Sequence, residues 1–324
     1  MSDPEARANR LLRWYPPSWR ERYGEEFEAL LVADISERRQ SGRRTVNVAL
    51  SGLLARLAAA GIAGESEQRT KLGAIACLGG VFAVLGVGLS AQLTIGWQWA
   101  PPTDPATTVG LAAILTGLAA LAAIVALAAA PILWSALRTR AKGVRLPLLA
   151  LAGGLAVLVL AGIHFAPHWP GAGGHAWNGK QLAPGGLAAF AWATTLSLTS
   201  YWAHPTKLAT FPAGQLAWMI SAPFALTAIL GAAGTIVRRT HLSARALRYE
   251  LRLARTAALA MLAILGGAIC WLLTGNSAPD NLYATGTIDV AEAAAMAFIL
   301  TWLIRATGQA SPPARPATDY PRSH

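Results

Sequence analysis

The chain has 324 residues, of which 54% are hydrophobic and only 13% are charged, and its mean hydropathy is +0.41. Soluble globular proteins carry about 25% charged residues, so this composition excludes an ordinary soluble domain as the main part of the chain. The net charge of +11 does not indicate nucleic-acid binding, because the basic excess lies in short loops beside apolar runs, as in membrane proteins. The expected fold class is therefore all-α, a polytopic transmembrane helix bundle.

The N-terminal segment differs from the rest, because residues 1–71 hold 22 of the 43 Lys, Arg, Asp and Glu residues. Three amphipathic patterns predict a small cytosolic unit of three helices within residues 1–70. Pro16 and Pro17 should end the first helix, and Ser18 with Glu21 has capping-box spacing at the start of the second. The apolar positions are Ala8, Leu11, Leu12 and Tyr15, then Trp19, Tyr23, Phe27, Leu30, Leu31 and Ile35, then Val46, Leu50, Leu53, Leu54 and Leu57.

The aromatic residues of the second pattern have two interpretations. Trp19, Tyr23 and Phe27 are first of all expected to be the core of this unit, since helical stripes of this kind usually face a core. A core this small can also leave aromatic edges exposed. Trp19, Arg20, Tyr23 and Phe27 are therefore also candidates for docking a cytosolic partner.

The stretch LLRWYPPSWRERYGEEFEALL, residues 11–31, resembles the HAAS-type and permease-prefix modules that precede the membrane spans of many actinobacterial multi-pass proteins. The resemblance implies a cytosolic helical prefix, and such modules are often associated with regulatory or signalling systems. The matching residues are Tyr15, Pro16, Trp19, Arg20, Arg22, Tyr23, Gly24, Glu26 and Phe27.

Six apolar runs are long enough to cross a hydrocarbon core of about 30 Å. They predict a transmembrane domain over residues 71–305, followed by a disordered cytosolic tail over residues 306–324. No signal peptide is visible, so the first run should be an uncleaved anchor in the bacterial cell membrane. The runs are Leu72–Ile95, Val109–Leu137, Leu146–Ala166, Gly214–Val237, Thr256–Thr274 and Ile288–Ile304.

Two basic loops set the expected orientation. Residues 138–145 carry four basic residues and no acid, and residues 238–255 carry six arginines and Glu250, so both loops should face the cytoplasm. A helix beginning near Ser243 should run into the span at residue 256. The arginines of the second loop are expected to set topology or to contact lipid. They are Arg238, Arg239, Arg245, Arg248, Arg252 and Arg255.

A seventh candidate span, residues 185–202, conflicts with this orientation. Three spans between the two basic loops would put one loop outside, so we expect this hydroxyl-rich segment to lie at the outer interface without crossing. That gives six spans with both termini cytoplasmic, and seven spans as the alternative. Several glycines also recur along the spans, and simple tolerance of glycine is expected to explain them better than close helix packing.

The sequence contains no motif that indicates catalysis, so we expect neither an enzyme nor a cofactor. His164, His168 and His175 could together bind zinc or copper, but Pro167 and a glycine-rich loop separate them, and we expect no metal. Glu292 lies near the outer end of the last run, where a carboxylate would be favourable to the helix dipole.

These observations predict a multi-pass membrane protein that acts in regulation or signalling. Its spans would anchor or sense, and its prefix would present a docking surface to a cytosolic regulatory protein. The expected partners are the lipid bilayer and that protein, with no nucleic acid. The alternative is a permease or the membrane subunit of a transporter, which the lack of charged groups near the bilayer midplane disfavours for an ion-coupled carrier.

Overall fold

The structure is a computed structural model that describes residues 4–37, 42–63, 67–99, 105–139, 143–165, 213–240, 242–274 and 286–309. Every regular element in these ranges is an α-helix, which confirms the all-α prediction for this part of the chain. The helices are α1 (Pro4–Leu12), α2 (Pro17–Glu37), α3 (Gly42–Ala59), α4 (Gln68–Trp99), α5 (Pro105–Thr139), α6 (Arg145–Phe165), α7 (Ala213–Arg239), α8 (Ala244–Thr274) and α9 (Gly286–Gln309).

Four helices in the described ranges are long and apolar enough to cross a membrane, as the sequence predicts for the first, second, fifth and sixth runs. The third run corresponds to a shorter apolar segment in α6, Arg145–Leu160, and α7 extends over the fourth. Residues 185–202 lie outside the described part of the chain. The four segments are Gln68–Leu89, Thr108–Arg138, Ala244–Thr274 and Val290–Gln309.

The chain divides into two compact units, Met1–Ala74 and Ile75–His324, and the division falls within α4. The N-terminal unit contains α1, α2, α3 and the first turns of α4. Within it, the Asn9 side-chain amide of α1 donates a hydrogen bond of 2.5 Å to the Glu28 carboxylate of α2. The core of this unit consists of Ala8, Leu12, Tyr15, Leu31, Ile35 and Val48.

In the second unit, α5 and α8 form a long antiparallel pair. Gly110 of α5 meets Gly267 of α8, and Gly117 meets the carbonyl group of Ala260, so the two backbones touch. On α8 these glycines meet Ala260, Ile264, Gly267 and Trp271, at intervals of four and three residues that are typical of left-handed helix pairs. We name this contact the α5–α8 seam.

A second antiparallel pair consists of α6 and α7. Gly154 of α6 packs on Ile229 and Ala225 of α7. At one end of the pair, the Arg239 guanidinium donates a hydrogen bond of 2.5 Å to the carbonyl group of Gly143. The two basic loops therefore meet at the same end of this helix pair.

Glycine is required at several of these contacts. A Cβ atom would lie 2.8 Å from a carbonyl oxygen of the facing helix at Gly117, and 3.0 Å from one at Gly154. Simple tolerance of glycine is therefore the wrong explanation at Gly117, Gly154 and Gly267, where helix backbones approach closely. It remains adequate at Gly153 and Gly266, because nothing lies within 4 Å of a Cβ atom there.

Candidate docking surface of the N-terminal unit

The turn between α1 and α2 carries Tyr15 into the core of the N-terminal unit. The Tyr15 amide donates a hydrogen bond of 3.0 Å to the Leu12 carbonyl group, which extends α1 by one turn. Helix α2 then begins at Pro17, two residues before Trp19, where a cap at Ser18 would start it. Proline is favoured at the first helical position because its missing N–H has no intrahelical partner there. The carbonyl group of Pro16 accepts hydrogen bonds from the first turn of α2.

Four aromatic rings form one cluster beside this turn. Trp19 stacks on Tyr15 at a centroid distance of 4.0 Å, and Phe27 meets Trp19 edge-on at 5.4 Å. Tyr23 continues the cluster at 5.4 Å from Trp19, and the Arg22 guanidinium lies 5.2 Å from the centre of its ring. Each aromatic pair contributes about 0.5–1.5 kcal/mol beyond the burial of area. The cluster thus fixes the outer face of α2 to the core.

The outer side of this cluster remains exposed. Trp19 and Phe27 are half-buried against the core, whereas Arg20 is exposed and Tyr23 is 41% exposed. Leu30, which belongs to the predicted apolar face of the second helix, is 67% exposed. Tyr23, Phe27 and Leu30 follow one another at helical spacing and form an apolar stripe, which we name the docking stripe.

Polar contacts join the helices of the N-terminal unit. Arg44 of α3 forms an ion pair with Asp34 of α2 and also donates a hydrogen bond of 2.9 Å to the Asp34 carbonyl group. Burial raises the pKa of the Tyr15 phenol, while a hydrogen bond with Ser51 lowers it. Tyr15 therefore acts as a neutral hydrogen-bonding core residue at physiological pH.

The apolar pattern of helix α3 lies away from the core of the unit. Val46, Leu50, Leu53 and Leu54 are exposed large hydrophobic residues. The core receives Val48, on the opposite side of the helix. The predicted helical period is correct, and the apolar side that it defines is exposed.

The six arginines predicted to set topology or contact lipid are all exposed. Ser243 accepts a hydrogen bond of 3.2 Å from the Ala246 amide, which caps α8, and α8 continues unbroken to Thr274. The prediction of one helix from Ser243 into the span is thereby confirmed. At the other end of this arginine series, Arg255 donates a hydrogen bond of 3.5 Å to the Thr307 carbonyl group of α9.

The candidate metal site falls mostly outside the described residues. His168 and His175 lie there, and only the backbone of His164 is described, within α6. In the ranges that the structure covers, no group of three His, Cys, Asp or Glu side chains could hold a metal ion. Glu292 is buried and lies beyond the first turn of α9, so the helix dipole, which acts within that turn, does not explain it.

Sequence reasoning also missed a buried carboxyl group at Glu250. It was read as an isolated acid in a basic loop, but it is only 5% exposed and lies in the second turn of α8. Its Oε1 atom has no hydrogen-bond partner among the described residues. Glu250 lies at seven-residue spacing from Ala257, Ile264 and Trp271, which are all buried, and this spacing would have revealed its position.

Comparison of the chain with protein-family models, with curated proteins and with solved structures finds no match.

Proposed function

We propose that the chain is a multi-pass protein of a bacterial cell membrane whose N-terminal unit docks a cytosolic regulatory protein through the docking stripe. The observation that carries the proposal is the exposure of Tyr23 and Leu30 on a helix that the aromatic cluster holds rigidly in place. Apolar side chains on a pre-formed helix face bind a partner without the entropy cost of ordering that face. The resemblance of residues 11–31 to membrane-protein prefixes supports the same role.

The proposed topology has six spans and places both termini in the cytoplasm. Helices α6 and α7 are antiparallel, and Gly143 and Arg239 lie at the same end of the pair. The end of α6 and the start of α7 therefore lie at the other end of the pair, which supports an even number of membrane crossings between these two helices. Basic loops face the cytoplasm, which sets the direction of the whole arrangement.

In-cell photocrosslinking tests the docking role. A photoreactive amino acid is placed singly at Tyr23 and at Leu30 of the full chain, and at Glu25 as a control. Glu25 is also exposed on α2 but lies on the opposite side of the helix from Tyr23. The proposal predicts one protein adduct of the same mass from positions 23 and 30 and none from position 25. Equal adducts at all three positions, or none, would contradict it.

A transport role is the second candidate, because the structure buries two carboxyl groups, Glu250 and Glu292, in the membrane unit. Ionisable groups inside membrane bundles often mark ion pathways. Proteoliposomes containing a trapped pH dye test this role. Transport is supported if the native protein dissipates an imposed pH gradient and both Glu250→Gln and Glu292→Gln fail to do so. If the gradient with the native protein is as stable as in empty vesicles, proton coupling is excluded.

A further inference from the structure

Helix α3 combines internal polar contacts with an outward apolar face. Near its N-terminus Arg44 binds Asp34, and near its C-terminus the Arg56 guanidinium donates two hydrogen bonds of 2.6 Å to the carbonyl groups of Arg13 and Trp14. These arginines attach α3 to the rest of the N-terminal unit. The large aliphatic side chains point the other way and are left uncovered.

The exposed aliphatic residues lie on a single face. Val46, Leu50, Leu53 and Leu54 are between 46% and 59% exposed, and Leu57 continues the series, half-buried. Their spacing places them on one side of the helix along a length of about 16 Å. Soluble domains rarely expose a continuous apolar surface of this kind without a function for it. We name these five residues the α3 face.

The C-terminal end of α3 is held against the first membrane helix. Gly61 ends α3 with a φ of 83°, and the Ile62 amide donates a hydrogen bond of 2.8 Å to the Leu57 carbonyl group, the pattern of a Schellman cap. A Cβ atom at Gly61 would lie 2.6 Å from the Thr70 carbonyl oxygen. Thr70 is in the first turn of α4 and lies two residues before Leu72, where the apolar run begins.

We propose that the α3 face lies in the cytoplasmic interface of the bilayer that α4 crosses, with its aliphatic side chains among the lipid chains. The contact of Gly61 with Thr70 puts one end of α3 at the point where α4 enters the membrane. Amphipathic helices with such an apolar face lie in the interface about 5–10 Å deep. This assignment goes beyond the docking role proposed for α2 and does not depend on it.

The charges around α3 suit a lipid surface. Helix α3 contains three arginines, Arg43, Arg44 and Arg56, and no acidic residue. Arg44 and Arg56 make the internal contacts given above, whereas Arg43 is exposed at the start of the helix. The cytoplasmic leaflet carries a negative surface potential that attracts basic residues next to a membrane span. A lipid surface therefore suits both the apolar face and the exposed arginine of the helix.

Electron paramagnetic resonance on the full chain tests the proposal. In a background with Cys77→Ser and Cys270→Ser, a nitroxide is attached to a single cysteine at Leu50, at Leu54 or, as the aqueous control, at Glu25. The protein is reconstituted into vesicles of phosphatidylethanolamine and phosphatidylglycerol. Accessibility of the nitroxide to oxygen, which partitions into lipid, is compared with accessibility to a water-soluble nickel chelate.

The proposal predicts that labels at positions 50 and 54 are reached by oxygen and shielded from nickel, at a depth of about 5–10 Å below the lipid phosphates. The label at position 25 should be reached by nickel. Nickel accessibility at positions 50 and 54 equal to that at position 25 would place α3 in water and overturn the proposal. Labels shielded from both reagents would mean that protein covers the α3 face, which would overturn it as well.

Discussion

The substitution Gly267→Ala should weaken the α5–α8 seam, because the added methyl group has no space. A Cβ atom at Gly267 would meet the Gly110 carbonyl group and would lie 2.8 Å from Cγ1 of Ile114 and 3.2 Å from its backbone nitrogen. Two of these atoms belong to the backbone of α5, so no side-chain rotation relieves the contact. The two helices must separate, and overpacking of this kind costs about 1–3 kcal/mol.

Gly266→Ala is the matched control for this prediction. Gly266 is the neighbouring residue of the same helix, and nothing lies within 4 Å of a Cβ atom there. Both substitutions gain the same helix propensity of alanine over glycine, up to about 1 kcal/mol. The difference between the two variants therefore isolates the contact between α5 and α8.

Equilibrium unfolding of the full chain in mixed detergent micelles, titrated with sodium dodecyl sulfate, measures the free energies. Gly267→Ala should be less stable than Gly266→Ala by about 1–3 kcal/mol. The α6–α7 pair provides an independent test, in which Gly154→Ala should be less stable than Gly153→Ala. Only at Gly154 would the added Cβ atom lie 3.0 Å from a carbonyl oxygen of the facing helix. Equal stability within both pairs of variants would refute the close helix contacts.

Three further substitutions test the N-terminal unit and the buried carboxyl group of α8. Gly52→Ala should raise hydrogen exchange of the amides of α1 and α3, because its Cβ would lie 2.6 Å from Cβ of Trp14, whereas Gly24→Ala, with 3.7 Å to its nearest neighbour, should not. Burial raises the pKa of Tyr15, so its contribution to the stability of the unit should be complete below pH 10 and should be lost as the pH rises through the raised pKa. Hydrogen exchange of the unit measures this loss, and it should depend less on pH in Tyr15→Phe. Glu250→Leu should leave the free energy of unfolding equal or higher, since it removes a buried carboxyl oxygen without a described partner. A decrease of more than about 1 kcal/mol in the free energy of unfolding would show that the Glu250 carboxyl group makes a stabilising hydrogen bond.

The sequence predicted the helices and their periods well, because both depend on local spacing. The start of α8 at Ser243 followed from a residue that caps helices, and the four helices able to cross a membrane coincide with predicted apolar runs. The start of α2 differs from the prediction by two residues, since Pro17 fits the first helical position as well as Ser18 fits a cap.

The surroundings of each helix face could not be read from the sequence. The spacing of Leu50 and Leu54 suits a protein core and a lipid surface equally, and only the packing of Val48 shows which side of α3 is buried. The role of each glycine was hidden for the same reason. Gly266 and Gly267 are adjacent and identical in chemistry, yet only Gly267 faces another backbone, which depends on a helix more than a hundred residues away in the chain.

The central claim is that the N-terminal unit and the start of α8 share the cytoplasmic side of a membrane protein with an even number of spans. Single cysteines at Glu25, Ser243 and Ala209, in a background with Cys77→Ser and Cys270→Ser, are treated with a membrane-impermeant maleimide on intact cells. The account predicts labelling at position 209 alone, and labelling at positions 25 and 243 only after the cells are permeabilised. Labelling of position 25 or 243 on intact cells, or protection of position 209, would contradict it.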